Sequence, residues 1–121
     1  MQLVDNADGW KGSVSVADTI EEVKRVPADK KFMLMSVRII NNDVGNGEAE
    51  DHIAEIFISE NAAGAVANRL WHETVSPGPD DAFDWQGLLN LKAGDRISVR
   101  CDSTDVRFHI SGVGDLEDPS V

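Results

Sequence analysis

Residues 31–40, KFMLMSVRII, constrain this chain more than any other stretch. The side chains of an extended strand alternate between two faces. One face here would carry Phe32, Leu34, Ser36, Arg38 and Ile40, and the other Met33, Met35, Val37 and Ile39. The second set is wholly apolar, so the alternation predicts a long strand with that set turned to the core. Residues 87–101, GLLNLKAGDRISVRC, carry a second such pattern. The polar break Lys92-Ala93-Gly94-Asp95 reads as a hairpin turn, with Gly94 supplying a permissive backbone. Beyond it Ile97 and Val99 are expected inward, and Arg96, Ser98 and Arg100 outward.

Shorter patterns fill the rest of the chain. Val14 and Val16 alternate within residues 13–17, the period of a half-buried strand. Ile20, Val23 and Val26 recur at helical spacing, but the β-branched content and Pro27 predict an irregular or bulged strand. Pro27-Ala28-Asp29-Lys30 is a turn, because proline fixes φ and aspartate bonds locally. Within residues 52–60 the cleaner apolar face is Ala54, Ile56 and Ile58, and a further strand surrounds Leu70 and Trp71. The Pro/Gly/Asp run 76–81 breaks the chain before short strand segments at 82–85 and 87–91. Val106, Phe108 and Ile110 then alternate with Arg107, His109 and Ser111. Residues 41–51 and 61–67 read as loops. About eight short strands with turn signals at this spacing predict an all-β, antiparallel sandwich. Residues 1–12 form a lead-in arm to it, 13–113 the single domain, and 114–121 an acidic tail.

Charge narrows the function. The 22 acidic side chains outnumber the 11 basic ones, for a formal net charge of −11. Nucleic-acid binding needs Lys and Arg to displace counterions, and anionic membranes attract the same residues, so neither partner is expected. The single cysteine, Cys101, allows no intrachain disulfide and is expected as a small buried hydrophobe. Residues 1–10 have neither the basic start nor the apolar run of a secretory signal, and assembly in a reducing cytoplasm is expected.

No enzymatic motif stands out. His52, His72 and His109 form no HxH or HxxxH pair, and Glu50-Asp51-His52-Ile53-Ala54-Glu55 lacks the second histidine of a zincin. The acidic loop 41–51 fits no EF-hand frame, and the acids at 80, 81 and 84 read as solvated turn residues. There is no GxSxG, P-loop or GxGxxG, so no catalytic residue, cofactor or metal is expected. Three tryptophans remain. Trp85 is expected to face the core opposite an exposed Asp84, while Trp10 and Trp71, with Lys11, are the candidate interface residues.

Four pieces in order carry a family resemblance: Val26-Pro27-Ala28-x-Lys30-Lys31, Ser36-Val37-Arg38-Ile39-Ile40-Asn41-Asn42, Trp85-x-Gly87-Leu88-Leu89-x-Leu91-x-x-Gly94-Asp95-x-Ile97-Ser98-Val99, and His109-Ile110-Ser111-Gly112-Val113. From about residue 20 to residue 113 the chain resembles the small β-sandwich virion proteins of tailed bacteriophages and gene transfer agents. The resemblance implies a jelly-roll-like or immunoglobulin-like sandwich without enzymatic activity. It implies a place in the virion, as a capsid decoration (cement) protein bound to the major capsid protein or as a tail, fibre or baseplate module. A homo-oligomer, taken as a trimer, fits such a role. A carbohydrate-binding module using exposed tryptophans is the alternative from another class.

Overall fold

A computed structural model describes residues 9–43, 50–59 and 69–117. Among them are eight strands: β1 (Gly9–Gly12), β2 (Glu21–Arg25), β3 (Lys30–Asn41), β4 (His52–Ser59), β5 (Arg69–Val75), β6 (Phe83–Leu91), β7 (Arg96–Cys101) and β8 (Val106–Glu117). The only helical element among the described residues is a 3-10 turn, Pro79–Asp81. The strands form two four-stranded antiparallel sheets, β1-β8-β3-β6 (sheet A) and β2-β7-β4-β5 (sheet B). Every connection passes from one sheet to the other except β4 to β5. That order makes a jelly-roll-like sandwich.

The crossing connections correct the hairpin expected at residues 92–95. The turn itself is present: Asp95 N–H donates to the Lys92 carbonyl at 3.0 Å and Lys92 N–H to Asp95 Oδ2 at 2.9 Å. Gly94 sits at φ +88°, where a side chain is disfavoured. Yet β6 belongs to sheet A and β7 to sheet B, so the turn is an arch over the edge of the core. The turn after Pro27 is also an arch, from β2 to β3. The two lie side by side, joined by Val26 N–H to the Asp95 carbonyl and Gly94 N–H to the Val26 carbonyl, both 2.9 Å.

The core face of β3 also differs from the expected one. Phe32 and Leu34 are fully buried, then Val37 and Ile39 are, while Met35 is exposed and Met33 half-buried. The cause is a β-bulge. Leu34 pairs Gly112 and Ser36 pairs Ser111, so Met35 is an extra residue against β8. The extra residue shifts the alternation by one, and each half of the strand turns its own apolar pair inward. The expected strand at 13–17 is irregular chain instead, with Val14 buried and Val16 exposed. The irregular strand expected before Pro27 is β2, with a register shift between Glu22 and Lys24.

Ala54, Ile56, Ile97, Val99, Val106, Phe108 and Ile110 complete the core between the sheets. Each buried aliphatic or aromatic side chain contributes about 1.5–3 kcal/mol. Cys101 lies among them, and burial pushes its thiol up to about 11, consistent with a packing role. Gly9–Gly12, within the stretch read as an arm, pairs β8 as an edge strand, and β8 runs past residue 113 to Glu117. The expected loop at 61–67 and most of that at 41–51 lie outside the described residues.

Candidate functional site

The tryptophans are placed by strand register. Trp10, Ile110, Val37 and Trp85 form one row across sheet A, with its buried residues on the core side. Trp10 stands at one edge of that row and Trp85 at the other. Trp10 packs on Phe108, ring centroids 6.2 Å apart. Trp85 meets Trp71, on the edge strand of sheet B, at 5.2 Å and 59°. All three are partly buried against the core and close its open margins. Asp84 is exposed on the opposite side of β6, as expected.

The next row, on the outer face of sheet A, is polar. Lys11 pairs His109, His109 pairs Arg38, and Arg38 pairs Asp84. Arg107 lies two residues from His109 along β8, on the same outer face. Arg38 holds Asp84 through both carboxylate oxygens, at 2.9 and 2.8 Å. No side-chain partner is found for Lys11 or Arg107 among the described residues, and both are exposed. Ser36 and Ser111 hydroxyls share a 2.6 Å hydrogen bond beside them. Lys11, Ser36, Arg38, Asp84, His109 and Ser111 line a shallow depression of about 400 Å³. His109 is held below the ordinary histidine range, first by burial and then by the positive charges of Arg107, Lys11 and Arg38. The same face carries exposed Met35, Leu88 and Val113.

The outer face of sheet B is organised differently. Glu55 is buried, and its Oε2 accepts from Arg69 at 2.7 Å and from His72 Nδ1 at 3.0 Å, with Arg100 Nε 3.6 Å from Oε1. Burial alone would raise the Glu55 carboxyl, but Arg69, His72 and Arg100 outweigh it and hold the group below the usual carboxylate range. Phe57 and Ser98, paired on this face, are 1% and 0% exposed. Ser98, expected outward, thus has the expected facing and no solvent.

One end of the sandwich is acidic. Asn41 gathers its loops, donating from Nδ2 to the Glu50 and Val75 carbonyls at 2.8 and 2.9 Å. His52 lies between two carboxylates, with Nε2 2.8 Å from Asp43 and Nδ1 3.1 Å from Asp102. Burial opposes its charge, but Asp43 and Asp102 prevail and raise its pKa. Glu50, Asp51, Asp80, Asp81, Asp102 and Asp105 are exposed around it. No Lys or Arg occurs among the described residues of these loops. No group among the described residues has the geometry to hold a metal ion.

Of the candidate interface residues, the structure brings Lys11 into a cationic face, and gives Trp10 and Trp71 core-side packing with part of each ring exposed. Sequence reasoning did not single out Arg38 and Arg107, and it weighed His109 only as a metal ligand. Their outward alternation on β3 and β8 was visible, but their meeting depends on the β3–β8 register.

No protein-family model and no curated protein matches the chain. Among solved structures it is similar in fold to a pentameric capsid protein from metagenomic phage sequences, at 14% identity and TM-score 0.39. A second structure of such a protein gives 14% and 0.38. Each similarity covers 89% of this chain but only 62% of the capsid protein.

Proposed function

We propose that the chain is a non-enzymatic structural protein of a tailed-phage virion, and within that class a capsid decoration protein on the outer capsid surface. The observation that carries this reading is where the family-like sequence pieces fall. They supply the two adjoining arches and long parts of β3, β6, β7 and β8, which form the framework of the sandwich. The resemblance therefore rests on the parts that set the fold.

Charge and packing support the setting. A net charge of −11 suits the outside of a particle, where it keeps crowded copies from adhering to other particles, better than a DNA-filled interior. The partly exposed edges of Trp10 and Trp71, together with Lys11, are the proposed contacts with neighbouring virion proteins. A carbohydrate-binding role would need an exposed aromatic platform. Trp71 and Trp85 instead pack against each other at a steep tilt.

The test is co-sedimentation of the purified protein with phage capsids that lack it. Saturable binding at a symmetric stoichiometry is expected. Binding to purified tails but not capsids would move the assignment to a tail, fibre or baseplate module. Binding only to host polysaccharide would overturn the virion role.

A further inference from the structure

We propose that the outer face of sheet A is an assembly surface, and that its occupant is the acidic end of a second copy of this chain. This goes beyond the decoration reading and concerns the homo-oligomer that fits the family resemblance.

The argument is one of charge complementarity. The face carries Lys11, Arg38 and Arg107 against a single described carboxylate, Asp84, which Arg38 already holds. On a chain of net charge −11, such a cationic surface is unusual. Lys11 and Arg107 have no side-chain partner within the described chain. Cations placed together on an uncovered sheet repel one another, and the arrangement becomes favourable when carboxylates from outside approach. The same chain supplies them. Glu50, Asp51, Asp80, Asp81 and Asp105 are exposed at one end of the sandwich, and Asn41 and His52 tie the loops that bear them to the strands. The carboxylates are thus presented on anchored backbone, which lowers the ordering cost of a contact.

The face has an apolar part as well. Met35, displaced outward by the bulge, is exposed with Leu88 and Val113. A docking copy would cover these side chains while its carboxylates met Lys11, Arg38 and Arg107. Four strands at about 4.8 Å spacing give a face roughly 20 Å wide, at the small end for a specific contact. Association should therefore be salt-sensitive and dependent on concentration.

Such a contact joins two different surfaces, so it is heterologous and repeats from copy to copy. Soluble homo-oligomers mostly close, so a small ring is the expected product rather than an open filament.

The experiment is light scattering and sedimentation velocity on the full chain over a range of concentrations. At about 0.1 M salt the expected mass is a small multiple of the 13.2 kDa chain. At about 1 M salt, where the screening length falls from about 10 Å to about 3 Å, it should drop towards one chain. Lys11→Glu with Arg107→Glu should weaken association about tenfold or more, and Asp80→Lys with Asp81→Lys should do the same. Circular dichroism melts establish that each variant is folded, and the salt series on the unaltered chain needs no variant. A single-chain mass at low salt, or an oligomer indifferent to salt and to the charge reversals on the face and on the acidic end, would overturn the proposal. Capsid co-sedimentation separates the two claims. A monomer that binds capsids ends this inference and leaves the virion role standing, and a ring that ignores capsids does the reverse.

Discussion

The outer faces of the two sheets treat charge in opposite ways. On sheet B, Glu55 gathers Arg69, His72 and Arg100 around one buried carboxyl, and the neighbouring Phe57 and Ser98 are shut away from water. On sheet A, Arg38 holds Asp84, Lys11 and Arg107 have no side-chain partner among the described residues, and the surface stays open. A charge network completed within the chain contributes to folding. One left incomplete adds little to folding and remains available for association. The same strand architecture thus yields one structural face and one interactive face.

The largest expected effect tests the sheet B half of this contrast. Glu55→Ala leaves Arg69, Arg100 and His72 without their common acceptor. Breaking a fully buried pair costs about 3–5 kcal/mol, but Arg69 and Arg100 are 29% and 41% exposed and can recover water. The expected loss is about 2 kcal/mol in urea denaturation, with the oligomeric mass of the folded variant unchanged. A loss under about 0.5 kcal/mol would mean that sheet B's network is as dispensable as an exposed surface pair, and the contrast would fail.

Acid sharpens the same point. The Glu55 carboxyl is depressed in the folded protein, so its contribution is present above the ordinary carboxylate value of 4.5 and is lost as pH falls through the folded value. Glu55→Gln should therefore flatten the loss of stability on acidification. His52 has the opposite sign. Its pKa is raised above 6.5, so its clamp on Asp43 and Asp102 is fully present below 6.5 and fades as pH rises through the folded value. The stability gap between the unaltered chain and His52→Gln should be wider at pH 6 than at pH 9. Equal gaps would mean that His52 is held neutral.

On sheet A the expected effect on folding is smaller. Arg38 and Asp84 are 41% and 51% exposed, so Arg38→Ala should cost under about 1 kcal/mol. Lys11→Glu should change stability by less than about 0.5 kcal/mol while weakening association. If Lys11→Glu instead unfolded the protein, the open face would be structural and the two faces would not differ.

How much of this was legible in the sequence follows from what alternation can and cannot encode. Arg107, His109 and Ser111 alternate cleanly with Val106, Phe108 and Ile110, and the structure keeps that division. In β3 the apolar residues run on both faces of KFMLMSVRII, so nothing in the pattern marks Met35 as the bulge. Lys92-Ala93-Gly94-Asp95 satisfies a four-residue turn whether the next strand pairs in the same sheet or crosses to the other. The choice is made by long-range partners, Val26 among them. For the same reason Lys11 was legible as a candidate, but its row with His109 and Arg38 was not. Each lies on a different strand, and register joins them.

The smallest effect is expected at Ser98, and its sign is informative. Its hydroxyl is fully buried, directly across from Phe57 on the outer face of sheet B, and has no hydrogen-bond partner among the described residues. A buried hydroxyl without a partner costs about 1–3 kcal/mol of desolvation, and removing one of its size loses about as much packing as a methyl group supplies. The two contributions nearly cancel, with the desolvation relief slightly larger. Ser98→Ala should therefore be neutral to stabilising by about 0.5 kcal/mol in the same urea titration that reports Glu55→Ala. A loss above about 1 kcal/mol would reveal a hydrogen bond from Ser98 to a group outside the described residues, and the closed face of sheet B would then be held by a polar contact as well as by Glu55.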